Sequence, residues 1–220
     1  MQAISDHDLL ELEPASVTSF DVIGFKTPMD GSNLVLKTAR ELEAAAGRAL
    51  PARIRLVKRI PPGAGLGGGS SDAAATLRGL SRLHCLELHL APIAAEIGSD
   101  VPFFLAGGRA RASGRGERLE PLPDQAAWYA IAWPELEVST ADVYRRWDAV
   151  GGEPPNDLQR AAVDLHPELG DFGASLGEGW QLTGSGSAWF KPCSSRGAAS
   201  ICAGAAPGWT AVAHSVAGWA

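Results

Sequence analysis

One segment, PPGAGLGGGSSDAAA, restricts what this chain can fold into more than any other. Five of the seven residues 63–69 are glycine. On the N-terminal side Ala52, Ile54 and Leu56 alternate with Arg53, Arg55 and Val57, the two-residue period of a strand. On the C-terminal side Ala73, Ala74, Leu77, Leu80 and Leu83 recur at helical spacing. The order is strand, glycine loop, helix, with Ser70 and Ser71 expected to open the helix. Glycine has no Cβ and tolerates positive φ, so successive backbone N–H groups can converge on an anion. The first turn of the helix adds unpaired N–H groups and a dipole that favours phosphate.

Three readings compete for this loop. A mere flexible turn would lower local stability with no ligand to explain it. A dinucleotide fingerprint is satisfied by Gly63, Gly65 and Gly68, but the helix leads into another helical segment instead of a strand ending in an acid for ribose. A phosphate cradle fits best. The Walker pattern fails, because Gly69 and not lysine precedes Ser70, so backbone amides and a nearby cation must manage the phosphate charge.

The rest of the chain alternates strand and helix signals. Residues 9–13 and 17–23 read as strands around a turn at Pro14-Ala15-Ser16. Asn33 or Ser32 caps a helix with apolar positions Leu34, Val35, Thr38, Ala39, Leu42, Ala45 and Ala46, stopped by Gly47. Residues 92–97 make a short helix, residues 109–112 alternate, and GRGERLEPLPD reads as turns. A boundary near residues 121–126 divides the chain into 1–125 and 126–220. Residues 128–133 form a continuous apolar run, hence a buried strand. A helix over 140–147 is capped by Ser139 or Thr140, and Asn156 caps a second after GGEPP. Residues 180–183 and 187–190 flank GSG as strand–turn–strand, 195–205 is a small-residue helix, and 209–216 is a last strand. This mixture is α+β, in two lobes.

Composition excludes several classes. The net charge is −6, and Lys and Arg are scattered, which argues against a nucleic-acid backbone as partner. Cys85, Cys193 and Cys202 have neither an even count nor CxxC spacing, so buried reduced thiols are expected. The five histidines are dispersed, and no residue is assigned to a metal. No apolar stretch is long enough to span a membrane, and MQAISDHDLLELEP lacks the basic and apolar regions of a signal peptide. A cytoplasmic enzyme acting on a small molecule, with no membrane or nucleic-acid partner, is the expectation.

PPGAGLGGGSSDAA resembles the ATP loop of the GHMP kinase superfamily. Within it the triple glycine and double serine are most similar to the 4-diphosphocytidyl-2-C-methyl-D-erythritol kinases. IGSDVPFFLAGGRARASGRGERLEPL, STADVY, NDLQ and LTGSGSAWF resemble further motifs of that group, so the likeness runs from near residue 1 to the end. It implies a two-lobed GHMP kinase-like fold, ATP and Mg2+ as cofactors, and phosphorylation of the 2-hydroxyl of 4-diphosphocytidyl-2-C-methyl-D-erythritol in non-mevalonate isoprenoid biosynthesis.

By the same resemblance Pro61, Pro62, Gly63, Ala64, Gly65, Leu66, Gly67, Gly68, Gly69, Ser70 and Ser71 bind ATP, with Asn33 and Lys58 near the adenosine. Asp100 is the catalytic base and touches the substrate. Thr140 and Tyr144 hold the substrate too, the ring stacking on cytosine, and Gly184-Ser185-Gly186 supports the phosphate loop. Each residue has a plainer alternative. Asp100 can cap a turn, Asn33 a helix, Lys58 can be a solvated strand residue, Tyr144 a core residue, and GSG an ordinary hairpin.

The chain also departs from the family. A PAKINL strand and a GYHEL segment are expected ahead of the piece that Met1-Gln2-Ala3-Ile4 resembles, and neither is in the sequence. The resemblance then implies an incomplete N-terminal lobe, a site lacking the family's lysine opposite Asp100, and impaired activity. A nucleotide-binding remnant of such a kinase, and a GHMP kinase for another substrate, are the alternatives. Lys191-Pro192 has no functional account at this level.

Overall fold

Alternation over residues 52–58 builds the first sheet. The structure is a computed structural model in which residues 1–113, 116 and 118–218 are described. Strand β1 (Leu9–Pro14) and strand β2 (Ser19–Gly24) flank β3 (Ala52–Lys58), antiparallel on one side and parallel on the other. The parallel pairing needs a crossover, which α1 (Leu34–Ala46) supplies. Ala52, Ile54 and Leu56 point inward and are buried, while Arg53 and Arg55 point out and pair with Glu13 and Glu11 of β1 at 3.2 and 3.5 Å. Against the inner face pack α1, α2 (Gly68–Leu83), α3 (Leu90–Ile97) and α4 (Val101–Ala106), enclosing Leu42, Leu77, Leu80 and Val101. Asn33 caps α1, accepting from Val35 N at 2.9 Å, and Gly47 ends it in the left-handed conformation.

A two-stranded ribbon of β4 (Arg109–Ser113) and β5 (Arg118–Leu122) leads to the second lobe. There β6 (Trp128–Trp133) is an inner strand of a sheet ordered β7 (Gln181–Leu182), β8 (Trp189–Cys193), β6, β9 (Trp209–His214). Both faces of β6 are covered, which accounts for its unbroken apolar sequence. Ala130 lies under α8 (Arg196–Ala205), and Ile131 faces Ala64 of the glycine loop. Helices α5 (Thr140–Val150), α6 (Gln159–Leu165) and α7 (Pro167–Leu176) form a further cluster around Leu182 and Trp189. The first five residues run between the ribbon and β9. Ala3 N donates to Gly108 O, Val216 N to Ala3 O, and Ser5 N to His214 O, each at 2.8 Å.

Several expectations are corrected. Helix α2 begins at Gly68, two residues before Ser70, because Gly67 at φ +71° supplies the sharp entry. Residues 101–106, 118–122 and 167–176 carry elements that the pattern did not mark, for reasons taken up below. The turns expected at residues 114, 115 and 117 lie outside the described residues. Cys85 is exposed, not buried, since it follows the end of α2 at φ +51°. No helix among the described residues is long and apolar enough to cross a membrane.

Candidate active site

The glycine loop is seated on the second lobe at close range. Gly63, Gly65 and Gly67 all have φ between +66° and +71°. A Cβ on Gly65 would lie 2.5 Å from Thr183 O and 2.6 Å from Gly186 O, and one on Gly67 would lie 2.6 Å from the Phe104 ring. Only glycine permits both the conformation and the approach. Backbone bonds join the same partners: Ala188 N to Ala64 O at 2.9 Å, Thr183 Oγ1 to Ala64 O at 3.0 Å, and Val138 N to Gly63 O at 3.2 Å. The GSG turn is braced in turn by Asn156 Nδ2, which donates to Leu182 O and Gly184 O at 2.9 Å. In the first turn of α2 the Ser71 hydroxyl is spent on Gly68 O at 2.8 Å, while the Ser70 hydroxyl has no partner among the described residues.

Beneath this loop lies a closed ionic group. Lys58 Nζ meets Asp8 Oδ2 at 2.5 Å and Asp72 Oδ2 at 2.8 Å, with side-chain exposures of 5%, 2% and 6% for Lys58, Asp8 and Asp72. Burial pushes the Asp72 carboxyl up to about 7; Lys58 pulls it down, and the nearby Asp8 carboxylate pushes it further up.

Asp100 stands at the N-terminus of α4, yet its side chain makes no capping bond. Burial raises its pKa, with the Met1 amine and a Ser99 hydrogen bond opposing. Phe104, the residue against Gly67, is four positions on and so on the same helix face as Asp100. Across the opening Tyr144 on α5 is 40% exposed, and its phenol pKa is raised by burial and by the charge of Asp100. Thr140 Oγ1 lies 2.9 Å from Ser185 Oγ of the GSG turn. Loop and GSG turn, turn and Thr140, and Tyr144 and the Asp100 carboxylate are thus neighbours in pairs.

Residues 33–108 match the family described as GHMP kinases N terminal domain. The chain is 36% identical over 222 residues to a 4-diphosphocytidyl-2-C-methyl-D-erythritol kinase of Carboxydothermus hydrogenoformans, covering 86% of this chain and 77% of that protein. The chain belongs to the GHMP kinases, among the 4-diphosphocytidyl-2-C-methyl-D-erythritol kinases. A relative of the same name from Thermus thermophilus is 40% identical over 206 residues, covering 83% of this chain and 74% of that one. A crystal structure of 4-(cytidine 5'-diphospho)-2C-methyl-D-erythritol kinase superposes with a TM-score of 0.78 at 35% identity, covering 97% of this chain and 87% of the other. The homoserine kinase from Cytophaga hutchinsonii, at TM-score 0.71 and 20% identity, shares the fold.

For a GHMP kinase the expected residues sit as follows. The loop of residues 61–71 packs against the GSG turn, which Thr140 contacts, and Tyr144 lies near enough to Asp100 to feel its charge. Asn33 and Lys58 are internal. Asn33 is 6% exposed, and beyond its cap its Nδ2 donates to Pro28 O at 2.8 Å and Thr27 Oγ1 at 3.2 Å. Lys58 is held by two carboxylates. The sequence reading passed over Asp8, Asp72, Thr183 and Asn156 as parts of the site's support. Asp72 had a signal, since it falls beside Ala73 on the apolar stripe of its helix, where an acid needs a partner. Lys191 acquires a structural role: Nζ donates to Glu178 O at 2.7 Å, closing the turn before β7.

Proposed function

We propose that this chain transfers the γ-phosphoryl group of ATP to the 2-hydroxyl of 4-diphosphocytidyl-2-C-methyl-D-erythritol. The observation that carries this reading is the pairing, on either side of Phe104, of the glycine loop with the half-buried Asp100 carboxylate. The amides of residues 63–69 and the uncommitted Ser70 hydroxyl hold the phosphates. Asp100 accepts the proton of the attacking hydroxyl, and its raised pKa brings it closer to the range of an effective base. Thr140 and Tyr144 hold the acceptor, the ring offering its exposed face to the cytosine. Mg2+ carried in with the triphosphate would supply positive charge to the transferring group, and the Ser70 hydroxyl would be the side chain available to it in the first turn of α2.

The proposed division at residues 125 and 126 assigns loop and base to one lobe and acceptor contacts to the other. Both substrates are polyanions that do not cross membranes unaided, which fits a cytoplasmic reaction. Neither nucleic acid nor lipid enters it.

The test is phosphate transfer from γ-labelled ATP to the acceptor by the purified chain, beside Asp100→Asn. Transfer that drops by about 100-fold or more in the variant supports the assignment, that being the low end of general-base contributions. ATP binding without transfer in the parent would instead favour a nucleotide-binding remnant.

A further inference from the structure

Asp8 lies outside every motif considered above, yet it ties the glycine loop to the first sheet. After β3 the chain reads Lys58-Arg59-Ile60-Pro61-Pro62. The two prolines have no N–H, so Arg59 and Ile60 carry the last backbone donors before Gly63. Both donate to one oxygen, Asp8 Oδ1, at 2.5 and 2.8 Å. The other oxygen holds the Lys58 ammonium at 2.5 Å, which reaches on to Asp72 of α2 at 2.8 Å. Lys58 and Ile60 form the floor on which α2 starts: a Cβ on Gly68 would lie 2.9 Å from Lys58 Nζ and 2.8 Å from Ile60 Cγ2. A single carboxylate therefore fixes both side chains beneath the turn that presents the phosphate-binding amides.

Stability alone does not explain such a group. Two carboxylates and one ammonium, nearly closed from water, are costly to desolvate, and an apolar set of the same volume would hold the fold as well. What the ionic group supplies is direction, because each hydrogen bond specifies a distance and an angle. We infer that Asp8 is a positioning residue for the nucleotide. Through the Arg59 and Ile60 amides and the Lys58 ammonium it sets the height of the first turn of α2, and hence the grip on the phosphates, without touching them. The inference rests on the ATP-binding reading above.

The experiment compares the parent with Asp8→Ala, Asp8→Asn and, as a remote control on β1, Glu13→Gln. Amide hydrogen exchange of the ligand-free proteins reports the loop directly, and steady-state kinetics separate KM for ATP from KM for the acceptor. Asp8→Ala is expected to speed exchange over residues 63–71 by about tenfold or more, with β6 and β9 unchanged. It is expected to raise KM for ATP by about tenfold while KM for the acceptor stays within about twofold. Asp8→Asn, whose amide oxygen can still accept from both backbone donors, falls between alanine and parent, and Glu13→Gln matches the parent. Unchanged loop exchange in Asp8→Ala, or equal rises in both KM values, overturns the inference. If the alanine variant does not fold, Asp8→Asn decides: parent-like loop exchange together with a parent-like KM for ATP overturns it. A parent with no transfer activity would sink the kinase reading, while the exchange data would still decide whether Asp8 anchors the loop.

Discussion

At residue 65 there is no room for a methyl group. The position has φ +71°, and a Cβ there would meet two backbone carbonyl oxygens at 2.5 and 2.6 Å. Thr183 O already accepts from Gly186 N at 2.7 Å, so the GSG turn would have to open. Gly65→Ala should cost about 1–3 kcal/mol, the usual range for a strained backbone position, and weaken ATP binding further than that loss of stability explains. Urea unfolding and a nucleotide titration on the same preparation check both parts. Asp100 makes the opposite trade. Its folded pKa lies above the ordinary value, so the folded state keeps the proton longer than the unfolded one, and ionisation at neutral pH opposes folding. Asp100→Asn should therefore melt higher than the parent at pH 7, with the gain fading as pH falls below the carboxylate range, while turnover is lost. A variant that melts lower at pH 7 would mean that the carboxylate is held by contacts the amide cannot replace.

Elements carry a different kind of test, and Asn33 supplies it. Its side chain caps α1 and fastens the preceding loop through Pro28 and Thr27, which uses both amide donors. Asn33→Ala should destabilise by about 1–3 kcal/mol, and Asn33→Ser, which keeps the capping oxygen, should recover part of that. If the residue touches adenosine, KM for ATP will rise in both variants; if it only caps, KM will hold wherever the protein is folded. The cap itself was legible in the sequence, as were the strands around the loop and the apolar run of β6, because each displays its period or its terminator in neighbouring residues. Three elements were not. Helix α4 has six residues, too few for a stripe, and opens with Pro102, which reads as a turn although the first helical turn tolerates proline. Strand β5 contains Pro121, acceptable because its ribbon has only two strands. Helix α7 carries Gly170 and Gly173, poor helix formers, and Gly173 is there so that the Trp189 ring can come within 2.4 Å of where a Cβ would be. The loop and Asp100 could be picked out as motifs. Asp8 could not, because its partners are about fifty residues away and only the folded sheet joins them.

Across the whole molecule the buried carboxylates act in one direction. Asp72 is pushed up to about 7 and Asp6 and Asp100 are raised, in each case chiefly by burial. Each holds its proton in the folded state at a pH where the unfolded chain has released it. Through these carboxyls the folded state binds more protons between about pH 4 and pH 7, and their contribution to stability falls as pH rises through that window, while the Met1 amine, lowered chiefly by burial, works the other way as pH nears its ordinary value. Asp30 is lowered by its Ser32 hydrogen bonds, so its contribution is complete above the ordinary carboxylate range and does not offset the others there. The expected outcome is a urea midpoint that is higher at pH 5.5 than at pH 7.5, the reverse of a protein held by salt-bridged surface acids. Asp72→Asn should remove most of the difference, since the amide fills the same place beside Lys58 without a charge to release. Kinetics sharpen the point. With Asp100 as the proposed base, turnover should climb with pH as its carboxyl ionises, across the interval in which the fold loses stability. A flat urea midpoint from pH 5.5 to 7.5, or one that rises with pH, would show that water reaches the Lys58 group and that its charges are not confined as the closed geometry implies.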